Sequence, residues 1–590
     1  MSVEPAPTLV RRGALVGILA IYATVSIVGI TWGLPSRKID KYLFGDGEVW
    51  SGEKIHRLAG AGGKFSPARG ADVDADPLRS RSVASAPGSD QTLPISLTAT
   101  DEDIAKILLR YRLYTYQPDE MITMMALAGM RPSRLDLDPR LYQYGGLFIY
   151  PVGALIKLCG LLGLINVRSD VVFYLDHPDE FGKFYIVARA YSAAWGLLGI
   201  VLVYAIANRL VPAASADERA PHRAGLLASL LFALMPVVVC MSHEGKPHLP
   251  GAVLMLAAVY FAMRFGSTQA KRDFAWLCVS CGAAVGMVLS SWPILTLIPL
   301  VAFLSAPPSA NRRKHFLHNT IRGTAIALGV YLLANPYVLA NTLFSRDVLR
   351  SNFGNSLAMY EIARVGEGFL RVVELTIEGT SPPVAIVGVV GLMVAAIRRD
   401  RKALPLIAVA VVFLLQFVLI GAGKPAEYGR FGIFTNTALA IGGACTLASL
   451  RRAWLRWPVT ALLTLWVGFG GLTYMQNFWL DATGQGSRTQ LAADIERSGA
   501  GRTIVIPAEP APYSLPPVAF TTTPVILVPE ASARGAAEGS WRFIRPVDRR
   551  TGSSPNSPAD VQGRVVSGAA GRETPISWAN KPFLVETAAR

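Results

Sequence analysis

Between Tyr111 and Pro151 the chain reads YRLYTYQPDEMITMMALAGMRPSRLDLDPRLYQYGGLFIYP. An acidic pair, Asp119–Glu120, follows Pro118 and precedes the apolar run MITMMALAGM. A Tyr-, Gly- and Pro-rich passage then leads into a second apolar segment. Taken alone, Pro118 and two carboxylates make a good helix start, with proline at N1 and negative charge at the positive end of the dipole. Beside membrane-embedded segments, carboxylates are costly unless they face water, a metal or a substrate. The surroundings decide which reading applies.

The 590 residues are 52% hydrophobic and 17% charged, with a mean hydropathy of +0.37. A soluble chain carries about a quarter charged residues. Here the apolar residues fall into separate blocks close to the roughly 20 residues that span a bilayer. The expected fold is therefore an all-α polytopic membrane protein. The formal net charge of +16 would suit nucleic acid, but the basic residues sit in short clusters between apolar blocks. That is a topology signal, and without nucleic-acid motifs the reading is of no nucleic-acid partner. The five cysteines lie in or beside apolar segments. Cys278-Val-Ser-Cys281 has redox spacing without a thioredoxin-like context, so small packing residues are the expectation.

Arg11 and Arg12 precede an apolar run from Gly13 to about Trp32, which reads as a signal-anchor: residues 1–12 cytoplasmic, 13–33 the first transmembrane helix. Residues 34–145 form a large external loop, with 45–94 expected to be disordered on composition. Residues 146–185 follow as an external juxtamembrane segment. Gly146–Ile165 is placed there as a surface or re-entrant helix, because NVRSDVVFYLDHPDEFGKFY must be outside for the next helix to run inward. A transmembrane bundle occupies 186–476, interrupted at Ser290-Ser291-Trp292-Pro293. About eleven transmembrane helices result, and strong basic clusters such as Arg312-Arg313-Lys314 fall on one side, as the positive-inside rule asks. Residues 477–590 read as an external C-terminal region, a small α/β appendage or partly disordered. In it Gln490–Gly499 is the expected helix, with Arg502–Pro507 and Thr523–Pro529 as strands.

This topology gathers polar groups on the outer face from distant sequence. They are Asp119 and Glu120; Asp136, Asp138 and Arg140; Asp176, His177, Asp179, Glu180 and Lys183; His243, Glu244, Lys246 and His248; and Lys424, Glu427 and Arg430. Each alone suits a solvated loop. Together they are more than loops require, and pocket carboxylates and histidines are candidates for chemistry. Nucleotide-binding P-loops, GxSxG elbows and HExxH motifs are absent from the sequence, which removes support for nucleotide-driven pumping and common hydrolysis.

Gln117-Pro118-Asp119-Glu120, followed by PRLYQYGGLFIYPVGAL, resembles the first external loop of GT-C membrane glycosyltransferases. The branch is that of protein O-mannosyltransferases and bacterial aminoarabinose transferases, often called family 39-like. The likeness continues through Arg189-Ala-Tyr-Ser192, Ser242-His243 and Asn335-Pro336-Tyr337, over most of the first 480 or so residues. It implies a GT-C-like fold and transfer of a sugar from a polyprenyl-phosphate carrier to an acceptor (protein, lipid or glycan) at the outer face. Asp119 would match the catalytic acid, with Glu120 beside it. Arg189, Lys246, Lys424, Arg430 and Tyr144 are the candidate substrate- and phosphate-binding residues. The expected location is the cytoplasmic membrane.

Two departures stand out. Gln117 occupies the place of a leading histidine, and His248 precedes Pro250 where an acid often stands. Glu244 would then substitute, or His243 and His248 would hold a divalent metal with Asp119. A second match, His177-Pro178-Asp179-Glu180, precedes the Arg189 helix rather than the Tyr-Pro segment and is read as a decoy. Two other classes compete. A flippase of lipid-linked sugars would place polar residues at mid-bilayer in two related halves, and no halves match. A catalytically inactive scaffold would explain Gln117 and His248.

Overall fold

The computed structural model describes residues 6–60, 95–211, 218–306, 311–360, 362–421, 426–498, 502–506, 512–528, 541–546, 561–566, 568 and 574–588. These fall into two units. The first takes the described parts of Met1–Val28, Leu141–Pro151 and Arg189–Met475; the second takes those of Gly29–Arg140, Val152–Ala188 and Gln476–Arg590.

The first unit is helical. Among the described residues of the chain, five helices are long and apolar enough to cross a membrane: Pro178–Leu210, His248–Thr268, Leu404–Gly421, Gly429–Ser449 and Ala453–Ala482. Three bent pairs raise the number to eight if each is one span. Each bend has a local cause. Ala220–Leu234 turns by 57° into Pro236–Ser242, because Pro236 has no N–H to give and Met235 before it takes an extended conformation. Arg312–Ala334 turns by 86° at Asn335 into Pro336–Phe344, and Val365–Thr380 turns by 107° into Pro382–Ile397. The residue between that last pair, Ser381, has φ 91°, outside the helical region. Two of the remaining expected spans fall on shorter apolar helices, Gly13–Ile27 and Leu289–Leu304.

Helix Lys271–Met287 stops at Val288, which is extended, and the chain goes on as a 3₁₀ stretch, Leu289–Thr296. This is the interruption expected at Ser290–Pro293. Val288 bridges to Tyr144, while Gly145 N donates to Met287 O and Leu289 N to Gln143 O at 3.0 Å each. The break is thus stitched to the Tyr142–Gly146 segment. The same segment is held from the other side: Asn352 Oδ1 accepts from Tyr142 N at 2.9 Å and Asn335 Oδ1 from Gly146 N at 2.8 Å. Gly146–Leu161 is a 16-residue helix with Pro151 inside. At about 1.5 Å per residue it reaches roughly 24 Å, a length similar to the other shorter apolar helices. The expected external stretch after Asn335 is mostly helical, as Pro336–Phe344, Arg346–Leu357 and Val365–Thr380.

The described residues of the second unit carry the α/β structure expected of the C-terminal region, joined by a strand at Ile95–Ser96. It contains one six-stranded sheet: β1 (Ile95–Ser96), β2 (Thr503–Ile506), β3 (Val525–Leu527), β4 (Trp541–Pro546), β5 (Val561–Val566) and β6 (Phe583–Ala588), in the order β1-β3-β2-β4-β6-β5. β2 pairs in parallel with β3 and β4; the other pairs are antiparallel. The expected helix appears as Ser487–Arg497 and the two expected strands as β2 and β3. Disorder was expected over 45–94, yet Gly52–Leu58 is a helix with Ser51 Oγ accepting from Lys54 N and Ile55 buried. Ser51 is a good N-cap, and Trp50 and Ile55 bury apolar area that a composition average hides. Residues 61–94 lie outside the described residues.

The helix Asp101–Leu113 opens with Thr100 as its cap and three acids in its first turn, favourable at the dipole's positive end. Its far end is anchored by Tyr111 Oη donating to Leu515 O at 2.8 Å, Arg110 to Tyr513 Oη at 2.7 Å, and the Arg112–Asp40 ion pair at 2.8 Å. Tyr116 N donates to Gly33 O at 2.9 Å. Gly33 has φ +58°, and a Cβ there would meet the Tyr116 side chain at 2.8 Å. A larger residue would displace the strand of chain that delivers the acidic motif.

Candidate functional site

In the second unit the acidic pair divides. Glu120 is buried, and Thr115 Oγ1 donates to its Oε2 at 2.7 Å. Asp119 is half-buried and is the N-cap of helix Glu120–Gly129, but its carboxylate makes no cap bond. Its backbone is held instead, with N–H donating to Gln117 Oε1 at 2.9 Å. The pair does open a helix, with both acids at the positive end of its dipole, but Asp119 makes no side-chain cap bond. The chain thus fixes the Asp119 backbone through Gln117. The decoy motif is occupied structurally: Asp179 accepts from Ser36 Oγ at 2.7 Å, Glu180 pairs with Lys183 at 2.6 Å, and the His177 ring stacks on Phe173.

The first unit brings together most of the other candidates. The helix Pro236–Ser242 ends in the turn Ser242-His243-Glu244-Gly245-Lys246, and His248 opens the next long helix. Glu244, Lys246, His243 and Arg189 are all buried. Lys246 Nζ lies 3.2 Å from Glu244 Oε2, and Ser192 Oγ donates to Lys246 O at 2.9 Å, tying the turn to the Arg189 helix. Buried ion pairs persist only where geometry and further hydrogen bonds offset desolvation. Tyr144 meets His248 edge-on at 5.9 Å, His248 meets Phe431 edge-on at 5.4 Å, and the Arg430 guanidinium lies over Phe431 at 5.2 Å. A small pocket lies beside them, lined by His248, Ser290, Ser291, Gln416, Arg430 and Phe431 among others. Lys424 lies outside the described residues.

Within the first unit, His243 is engaged by the backbone. His243 Nδ1 faces Val239 O and Nε2 faces Val28 O, each at 2.8 Å, so both ring nitrogens are turned to backbone carbonyls and neither is directed at Glu244 or His248. Burial, reinforced by the Arg189 charge, lowers its pKa to about 4 against those two carbonyls. Among the described residues no group of three or more His, Cys, Asp or Glu could hold an ion. The residues present do not fit a divalent metal at His243, Glu244 and His248.

Two residues were not singled out from the sequence. Gln416 Nε2 donates to Ser290 O at 3.0 Å and to Tyr360 Oη at 2.9 Å, which braces the pocket wall. Arg371 is buried on Val365–Thr380. A lone glutamine in the apolar block Leu404–Gly421 was the available signal for the first.

Residues 181–339 match the family of dolichyl-phosphate-mannose-protein mannosyltransferases. That stretch contains Arg189, the His243–His248 turn and the Asn335 bend, three of the motifs that carried the resemblance. No curated protein matches the chain. Among solved structures the chain is similar to ArnT from Cupriavidus metallidurans bound to undecaprenyl phosphate, with 14% identity over 80% of this chain and 93% of that one and a TM-score of 0.45. ArnT in the apo state gives 13%, 82%, 96% and 0.43. The Archaeoglobus fulgidus oligosaccharyltransferase in complex with Zn and sulfate gives 14% identity over 62% of this chain and 53% of that chain, with a TM-score of 0.35.

Proposed function

We propose that this chain is an inverting glycosyltransferase of the outer face of the cytoplasmic membrane, taking its sugar from a polyprenyl-phosphate donor. In the reaction, a hydroxyl oxygen of the acceptor attacks the anomeric carbon. The bond from that carbon to the phosphate oxygen breaks, and the phosphate leaves on the lipid with the bonding electrons. The hydroxyl proton passes to the Asp119 carboxylate, which acts as general base. One displacement inverts the anomeric centre. Charge grows on the leaving phosphate, and Arg189, Lys246 and Arg430, with Lys424, are the cations to receive it. What supports this reading is the match of residues 181–339 to the dolichyl-phosphate-mannose-protein mannosyltransferases, with Asp119 half-buried at the head of helix Glu120–Gly129 and its backbone braced by Gln117.

The test supplies purified protein in proteoliposomes with a polyprenyl-phosphate carrying a labelled sugar. Transfer of label with inversion, read by NMR of the product, is expected. Movement of intact labelled donor across the bilayer without transfer would instead make the chain a flippase.

A further inference from the structure

The helix Val365–Thr380 carries a cation that the account so far does not use. Its buried stripe is Gly368, Arg371, Val372, Leu375 and Gly379, at helical spacing, while Phe369, Leu370, Val373 and Ile377 are exposed. The helix packs on Leu404–Gly421, on the 3₁₀ turn Ala426–Gly432 that holds Arg430, and on Pro236–Ser242, which leads into the His243 turn. The approach is close. A Cβ on Gly421 would sit 3.1 Å from Gly368 O, and one on Gly379 would sit 2.3 Å from Asn436 Nδ2. Arg371 is thus fixed on the inward edge and is 5% exposed.

Arg371 Nη1 donates to Glu374 Oε2 at 3.2 Å, but that carboxylate is 70% exposed. Nε and Nη2 are buried with no hydrogen-bond partner among the described residues. These two nitrogens form one edge of the planar group, with parallel N–H bonds that fit two oxygens of a carboxylate or phosphate. A guanidinium does not shed its proton, and leaving its buried donors unmade is costly. The other acids of the helix do not answer the need: Glu367 pairs with Arg364, and Glu378 accepts from Tyr474.

We propose that the Nε/Nη2 edge of Arg371 grips a phosphate in bidentate fashion, and that this phosphate is the headgroup of the polyprenyl carrier. The outer, apolar side of the same helix favours a phosphate that arrives on a hydrocarbon chain. The assignment rests on the transferase reading, because free phosphate or a bilayer phospholipid offers the same oxyanion.

The experiment measures binding of undecaprenyl phosphate, undecaprenol, inorganic phosphate and phosphatidylglycerol to the full chain in detergent. Arg371→Gln is expected to weaken undecaprenyl phosphate by about tenfold or more, leave undecaprenol unchanged, and raise the donor KM more than it lowers kcat. Arg371→Lys keeps the charge without the fork; it should show the same pattern, and it serves if the glutamine variant does not fold. Glu374→Gln should leave carrier affinity unaltered. Unchanged carrier binding in both Arg371 variants, or an equal loss for undecaprenol, overturns the proposal. So does an equal loss for inorganic phosphate or phosphatidylglycerol. If the wild-type chain binds the carrier through Arg371 but moves no sugar, the transferase reading fails and the site stands. If it transfers sugar while the variants bind normally, only this site fails.

Discussion

Thr115 Oγ1 donates to Glu120 Oε2 at 2.7 Å, and this one bond gives two neighbouring acids different tasks. Glu120 is buried and spoken for, while Asp119, one residue earlier, is half-buried and makes no side-chain cap bond.

Replacing Glu120 should therefore act on stability. Glu120→Ala removes this acceptor, and the Thr115 hydroxyl falls back on Gln117 O at 3.1 Å, so the cost should be about 1 kcal/mol. Glu120→Gln keeps an acceptor oxygen and should cost well under half of that. Thermal unfolding of the two variants checks the order; equal destabilisation would mean the Thr115 bond is unimportant.

Glu244 and Lys246 pair at 3.2 Å with side chains 1% exposed. Lys246→Met strands a buried carboxylate and should destabilise by about 3–5 kcal/mol. Making Glu244→Gln on top of it should recover much of the loss. A double-mutant cycle in thermal unfolding measures this coupling, and strict additivity would show that the pair is not a unit.

The histidine of the same turn gives a pH prediction. Folded, His243 titrates at about 4, against 6.5 for an unperturbed ring. As pH falls from 6.5 towards 4 the unfolded chain takes up this proton first, so stability is lost on acidification and is complete above 6.5. The difference amounts to about 3 kcal/mol on the usual conversion. Melting temperature from pH 4 to 7 should rise for the wild type and be flatter for His243→Asn.

Arg488 is fully buried, donating to Trp578 O at 3.0 Å and Tyr513 O at 2.9 Å, with its guanidinium over Tyr116 at 4.5 Å. Arg488→Met should leave those carbonyls and Asp481 uncompensated, at a cost of about 3–5 kcal/mol. Hydrogen exchange should then rise first in 502–506, 512–528 and 574–588; uniform protection would contradict a clamp at this residue.

How far the sequence could be read follows from which interactions are local. Apolar blocks separated by basic clusters announce a helical membrane protein, because each helix satisfies its own backbone. The motif Gln117–Glu120 and the break at Ser290–Pro293 were legible for the same reason, since proline and acid placement act over a few residues. The sheet was only partly legible. β1 is two residues long and pairs with Val525–Leu527, a register set by chain more than four hundred residues away. Arg371 escaped notice because it lies just beyond a stretch read as external loop. Only the spacing Gly368, Arg371, Leu375, Gly379 hinted at a buried helical face. The carbonyl partners of both His243 nitrogens cannot be read from composition, because they come from Val239 and from Val28 more than two hundred residues away.

The central claim is that the Asp119 carboxylate takes the acceptor's proton, and Asp119→Asn tests it most directly. Asparagine keeps the size and the backbone bond to Gln117 but cannot act as a base. In proteoliposomes with labelled polyprenyl-phosphate sugar, the turnover rate should fall by about a hundredfold to ten-thousandfold, with undecaprenyl phosphate binding and melting temperature unchanged. Transfer at close to the wild-type rate would contradict the account.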